Sequence, residues 1–87
     1  MTRKVILYGK PGCHLCEQAL ALLEQVSRSL PFALDIQEVD ITTDPKLEEE
    51  YGEAIPVIAI EDGLSLSAMF IKPNLLRDAL EAAAAGR

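Results

Sequence analysis

Val5-Ile6-Leu7-Tyr8-Gly9-Lys10-Pro11-Gly12-Cys13-His14-Leu15-Cys16 is the stretch that decides how this chain folds. Lys4 to Tyr8 is apolar without alternation and reads as a strand covered on both faces. Lys10-Pro11-Gly12 is turn chemistry. From Cys13 onward, Leu15, Ala19, Leu22, Leu23, Val26 and Leu30 keep helical spacing until Pro31. A strand therefore passes through a tight turn into a helix whose first turn carries Cys13 and Cys16, the only two cysteines of the chain. Two thiols one helical turn apart can close into a disulfide and reopen, a two-electron couple. Cys13 falls at the helix N-terminus, where the positive end of the backbone dipole favours the nucleophilic thiolate. Cys16 lies on the same face one turn deeper, placed to attack a mixed disulfide formed at Cys13.

Beyond this unit, Phe32 to Ile41 reads as a second strand, with Leu34 and Ile36 alternating against Asp35 and Gln37. A helical crossover between two strands predicts that they run parallel. Thr43 or Asp44 caps a short helix with Pro45 at its first position, and Gly52 ends it. Val57 to Ile60 is a third strand; the Asp62-Gly63 turn predicts an antiparallel fourth over Leu64 to Ile71, with Met69 and Phe70 in the core. Asn74, after Pro73, caps a last helix that carries Leu75, Leu76, Ala79, Leu80 and Ala83 on one side and runs into Ala82 to Ala85. The order β-α-β-α-β-β-α predicts an α/β fold, a three-layer α/β/α sandwich around a four-stranded mixed sheet.

Residues 1–87 are expected to form a single domain. A chain of this size buries only about 60–65% of its unfolded surface. Closing a four-residue disulfide loop adds roughly 2 kcal/mol before strain, so a structural role for the cysteines is weak. The apolar run after Met1-Thr2-Arg3-Lys4 is too short for a signal peptide, and nothing approaches a membrane span. A cytoplasmic location is expected, and there a Cys-x-x-Cys is more often catalytic, redox-sensing or metal-binding than structural. The net charge is −6, and between Asp35 and Asp62 ten acids face one base, Lys46. Such a chain has no electrostatic basis for holding nucleic acid or anionic lipid. Its acidic middle is a solvated face or a docking surface for a basic partner.

Cys-x-x-Cys at a strand-to-helix turn, with a distant Ile55-Pro56 ahead of a strand, resembles the thioredoxin fold in its minimal, glutaredoxin-like form. The Cys13-His14-Leu15-Cys16 motif is most similar to small glutaredoxin-like proteins of the thioredoxin superfamily, and the resemblance covers essentially the whole chain. It implies a thiol–disulfide oxidoreductase with Cys13 and Cys16 as catalytic thiols. In that superfamily the proline opening the third strand is cis and sits beside the cysteines. The resemblance puts Pro56 there and leaves the Ile55 backbone to pair with an extended substrate or with glutathione. A trans proline starting an edge strand is the alternative. Glutaredoxins commonly place a lysine three residues before the first cysteine, in contact with a glutathione carboxylate; Lys10 holds that position and is either such a contact or a solvated loop residue. His14 stands where glutaredoxins usually have proline. It either tunes the thiolate or is passively exposed. Leu15 replaces the usual tyrosine with an apolar contact. The Gly-Gly-x-x-Asp-like segment that binds the glutathione γ-glutamyl group is absent, because Leu64-Ser65-Leu66-Ser67 follows Asp62-Gly63.

Three functions follow from these residues. The first is thiol–disulfide exchange on a protein or small thiol substrate by a monomer. It needs no cofactor beyond thiols, with glutathione as a candidate co-substrate and an upstream thiol reductant as partner. The second is metal or iron–sulfur handling by two chains, since two cysteines and one histidine cannot complete a four-ligand site in one chain. The third is a redox-inert interaction module whose cysteine titrates near the free value of about 8.5. Hydrolase chemistry is set aside, because the lone His14 is a sequence neighbour of Cys13 and badly placed as its base. Gly9-Lys10-Pro11-Gly12 lacks phosphate-loop spacing.

Overall fold

The computed structural model describes residues 2–61, 65–68 and 71–85. Its elements are β1 (Thr2–Gly9), α1 (His14–Ser27), β2 (Ala33–Asp40), a 3-10 turn (Ile41–Thr43), α2 (Pro45–Tyr51), β3 (Val57–Ile60), β4 (Ser65–Ser67) and α3 (Pro73–Ala85). The four-stranded sheet has the order β2-β1-β3-β4. β1 and β2 run parallel, while β1–β3 and β3–β4 are antiparallel. The sheet is mixed and the fold is the thioredoxin-like α/β arrangement.

Strand alternation sets the layers. Val5 and Leu7 face α1 and α3, opposite Ile60 and Ile58 in the β1–β3 register. They form the main core with Ala19, Leu23 and Val26 of α1 and Leu76, Leu80 and Ala83 of α3. Tyr8 points to the other face and packs beside Leu47 and Tyr51 of α2. Because α2 is only seven residues long, it covers just that end of the sheet. β1 is consequently fully buried on one face and half-buried on the other at Ile6 and Tyr8, not covered on both as its apolar run suggests. Arg3 ties the opposite end down by donating to the Ala84 carbonyl at the C-terminal end of α3, 3.3 Å.

Local competition explains where element ends differ from expectation. α1 stops at Ser27 rather than Leu30, because Arg28, Ser29 and Leu30 N–H groups reach back three residues and tighten the last turn. β2 ends before Ile41, since the Asp40 carboxylate accepts from Thr42 N–H (2.9 Å) and turns the chain. Asp44 rather than Thr43 caps α2, accepting from Lys46 N–H at 2.9 Å. Gly52 follows α2 with right-handed geometry (φ −52°), so the stop is not a left-handed glycine turn. Among the described residues β4 spans Ser65–Ser67, with Ala68 N–H donating to the Pro56 carbonyl beyond it. The Asp62-Gly63 turn, Leu64, Met69 and Phe70 lie outside the described residues. In α3, Pro73 occupies the first helical position and Leu76 N–H reaches the Lys72 carbonyl, so Asn74 sits inside the helix instead of capping it. The buried stripe follows Leu76, Leu80 and Ala83, and Leu75, about 100° around the helix from Leu76, is 61% exposed.

Candidate functional site

The site forms where β1 ends in the middle of the sheet. Gly12 turns the chain with φ +77°, a conformation that side chains oppose, and delivers Cys13 to the N-cap of α1. Cys13 keeps extended geometry, and its sulfur accepts the Cys16 backbone N–H at 3.2 Å. The Cys13 carbonyl accepts from Glu17 N–H at 3.1 Å, which starts the helix. Both cysteines are free thiols; Cys13 is half-buried and Cys16 is buried. Gly9 is what lets Cys16 sit there: a Cβ on Gly9 would lie 2.8 Å from Cys16 Sγ and 3.1 Å from its Cβ.

The two thiols are pushed in opposite directions. Cys13 titrates below its ordinary value of 9.0, chiefly through a hydrogen bond with the Cys16 side chain. Backbone hydrogen bonds from Cys16 and Leu15 and the positive charge of Lys10 act the same way, against the cost of burial. Cys16 is pushed up to about 11, first by burial and then by the hydrogen bond with Cys13. A half-buried, acidified thiol therefore stands in front of a buried thiol whose proton is held more tightly.

The remaining predicted residues divide into groups. Lys10 is exposed beside the cysteines and lines the same cleft as both. Leu15 is half-exposed, and its backbone hydrogen bond is among the influences that lower Cys13. The His14 side chain is 92% exposed, with Nδ1 3.7 Å from Glu17 Oε2. Ile55 packs with Cys16 and Ile41 in a small buried cluster, and Pro56 is fully buried beside it in the chain. The Ile55–Pro56 peptide bond is cis. The Ile55 backbone is only half available, however, because its N–H already donates to the Tyr51 carbonyl at 3.1 Å.

Sequence reading missed several residues of the site. Tyr8 and Tyr51 stack at 4.4 Å between centroids and 20° between planes, closing over the Cys16 cluster from the sheet and from α2. A cleft of about 360 Å³ opens beside Cys13 and is walled by Glu17, Leu20 and the end of β2, Glu38 to Asp40. The parallel register, in which Leu7 faces Glu38 and Gly9 faces Asp40, brings those acids to the cysteine turn. Among the described residues no three His, Cys, Asp or Glu side chains are grouped to hold a metal ion. No described helix is long and apolar enough to cross a membrane.

Comparison with known proteins matches this geometry. The Glutaredoxin-like domain (DUF836) profile covers residues 4–83. A thioredoxin of Methanocaldococcus jannaschii is 31% identical over 58 residues, 66% of this chain and 68% of that protein. Among solved structures, the X-ray structure of a structural-genomics target protein from X. campestris superposes with TM-score 0.76 at 33% identity, covering 90% of this chain and 96% of that one. The solution structure of a protein from Nitrosomonas europaea gives TM-score 0.70 at 28% identity, covering 85% and 86%. Since the profile runs from β1 through α3 and so takes in both cysteines and Ile55-Pro56, the chain belongs to the Glutaredoxin-like domain (DUF836) family within the thioredoxin superfamily.

Proposed function

We propose that this protein is a thiol–disulfide oxidoreductase in which Cys13 is the nucleophile and Cys16 the resolving thiol. Family membership and the adjacent thiols support a redox role. The observation that carries the finer reading is the N-cap arrangement. The Cys13 sulfur already accepts a backbone N–H at 3.2 Å, as a thiolate needs, while Cys16 is held behind it. The Cys13 thiolate attacks one sulfur of a substrate disulfide, the S–S bond breaks, and the electron pair leaves on the other sulfur, which solvent protonates. Cys16 then loses its proton and attacks the Cys13 sulfur. A Cys13–Cys16 disulfide forms, and the second substrate half leaves as a thiol. An external thiol reductant restores the dithiol, and no other cofactor is needed. Ile55 and Pro56 border the substrate on the β3 side, and the Ile55 carbonyl is the backbone group offered to it.

The test is a pair of variants. Cys13→Ser abolishes disulfide reductase activity, and Cys16→Ser leaves a mixed disulfide on Cys13 that mass spectrometry detects. Full activity in Cys13→Ser ends the reading.

A further inference from the structure

We propose, resting on that reading, that Cys13 acts on disulfides flanked by cationic residues, with Glu38 as a residue that selects them. The sheet order places Cys13 between two unlike walls. β1 lies at the centre, with β3 on one side and β2 on the other. On the β3 side stand the apolar Ile55 and Pro56. On the β2 side the parallel register carries Glu38 and Asp40 to the level of Leu7 and Gly9, and both acids line the cleft that holds Cys13 and Cys16. Glu17 lines it from α1 and Lys10 from the loop, so the wall carries three carboxylates against one ammonium, a net of −2. Asp40 is fixed by accepting from Thr42 N–H at 2.9 Å and from the Thr42 hydroxyl at 2.6 Å. Hydrogen bonding to Thr42 also holds its carboxyl below the usual range, so its charge persists.

A substrate disulfide reaching Cys13 has one flank over this wall. A lysine or arginine there is attracted, while a carboxylate is repelled. Glutathione, a net anion at neutral pH, meets the wrong sign. A net charge of two acting through water at roughly 7 Å separates a monocation from a monoanion by roughly 10- to 50-fold in rate at low salt. In 1 M salt the screening length falls to about 3 Å, and the discrimination collapses toward one.

The experiment uses the reduced wild-type protein in single-turnover stopped-flow. It is mixed with two peptide disulfides that are identical except for Lys or Glu beside the half-cystine, and with dithiodipyridine as an uncharged reference. The expected result is a Lys-to-Glu rate ratio of at least tenfold at low salt that is lost in 1 M salt. Glu38→Gln lowers that ratio by roughly fivefold, on the same Coulomb arithmetic. Glu49→Gln, on the exposed surface of α2, leaves it unchanged. Equal rates for the two peptides with normal reaction of dithiodipyridine overturn the charge selection alone. So does a salt-independent ratio, or one that Glu49→Gln lowers as much as Glu38→Gln does. Failure of dithiodipyridine itself to oxidise the dithiol removes the oxidoreductase reading, and the selection with it.

Discussion

Gly9→Ala puts the packing of the dithiol to its most direct test. The added methyl would start 2.8 Å from Cys16 Sγ and 3.1 Å from Cys16 Cβ. Carbon atoms in contact prefer about 3.5–4.0 Å, so both distances are short by roughly half an ångström or more. Rotating the Cys16 side chain moves only the sulfur and leaves the Cβ clash. Relief therefore requires the first turn of α1 to retreat from the end of β1. Overpacking of this kind costs about 1–3 kcal/mol. In a domain of this size each kcal/mol shifts the melting temperature by about 4–8 °C. The expected outcome is thus a melting temperature lower by about 4–24 °C, read on the reduced protein by circular dichroism. Retreat of that turn also carries the Cys16 sulfur away from Cys13, so disulfide closure under a fixed oxidant slows as well. Gly12→Ala is the comparison. It meets no atom within 4 Å but forces a side chain to adopt φ +77°, so it costs stability through the backbone without pressing on Cys16. A Gly9→Ala protein that keeps both its melting temperature and its closure rate would refute the packing argument.

Further outcomes follow from the thiols and the core. Thiolate absorbance in Cys16→Ala titrates at higher pH than the Cys13 step of the wild type, because the largest influence lowering Cys13 is its hydrogen bond with the Cys16 side chain, which alanine cannot make. An unchanged Cys13 midpoint would show that the helix end and Lys10 suffice. Cys16 has its folded value raised from 9.0 to about 11, so its contribution to stability is intact below pH 9 and lost as pH rises through about 11. Denaturant melts of Cys13→Ser across that window should show a smaller loss, since Cys13 itself contributes to raising Cys16. Leu23, fully buried between α1 and the sheet, should cost about 2–5 kcal/mol as Leu23→Ala in urea unfolding. A loss below 1 kcal/mol would place it outside the core.

What the sequence disclosed and what it withheld divide along one physical line. The turn at Lys10 to Gly12, the helix after Cys13, the Asp44-Pro45 start of α2 and the strand at Val57 are encoded in neighbouring residues, and each is found within a few positions of its expected place. At Ser27 three-residue hydrogen bonds replace the regular α1 pattern, after Asp40 its own carboxylate turns the chain out of β2, and α3 starts at Pro73 because proline takes the first helical position. The site was legible only as far as it is local. Cys13, Cys16 and Lys10 are close in sequence and lie together in the fold. Gly9 looks like one more turn residue until the helix is folded back and Cys16 is found against it. Tyr8 and Tyr51 stand 43 positions apart in the sequence, and only the docking of α2 on the sheet stacks them. Glu38 and Asp40 belong to an acidic stretch that composition alone leaves as a solvated face or a docking surface for a basic partner. It is the residue-by-residue pairing of two parallel strands, Leu7 with Glu38 and Gly9 with Asp40, that brings them to the cleft holding Cys13 and Cys16. A shift of β2 by one residue would turn its side chains to the opposite faces and remove that wall. Register therefore links the core to the chemistry. The alternation that packs Leu34 and Ile36 against the main core also determines which charges line the cleft beside Cys13.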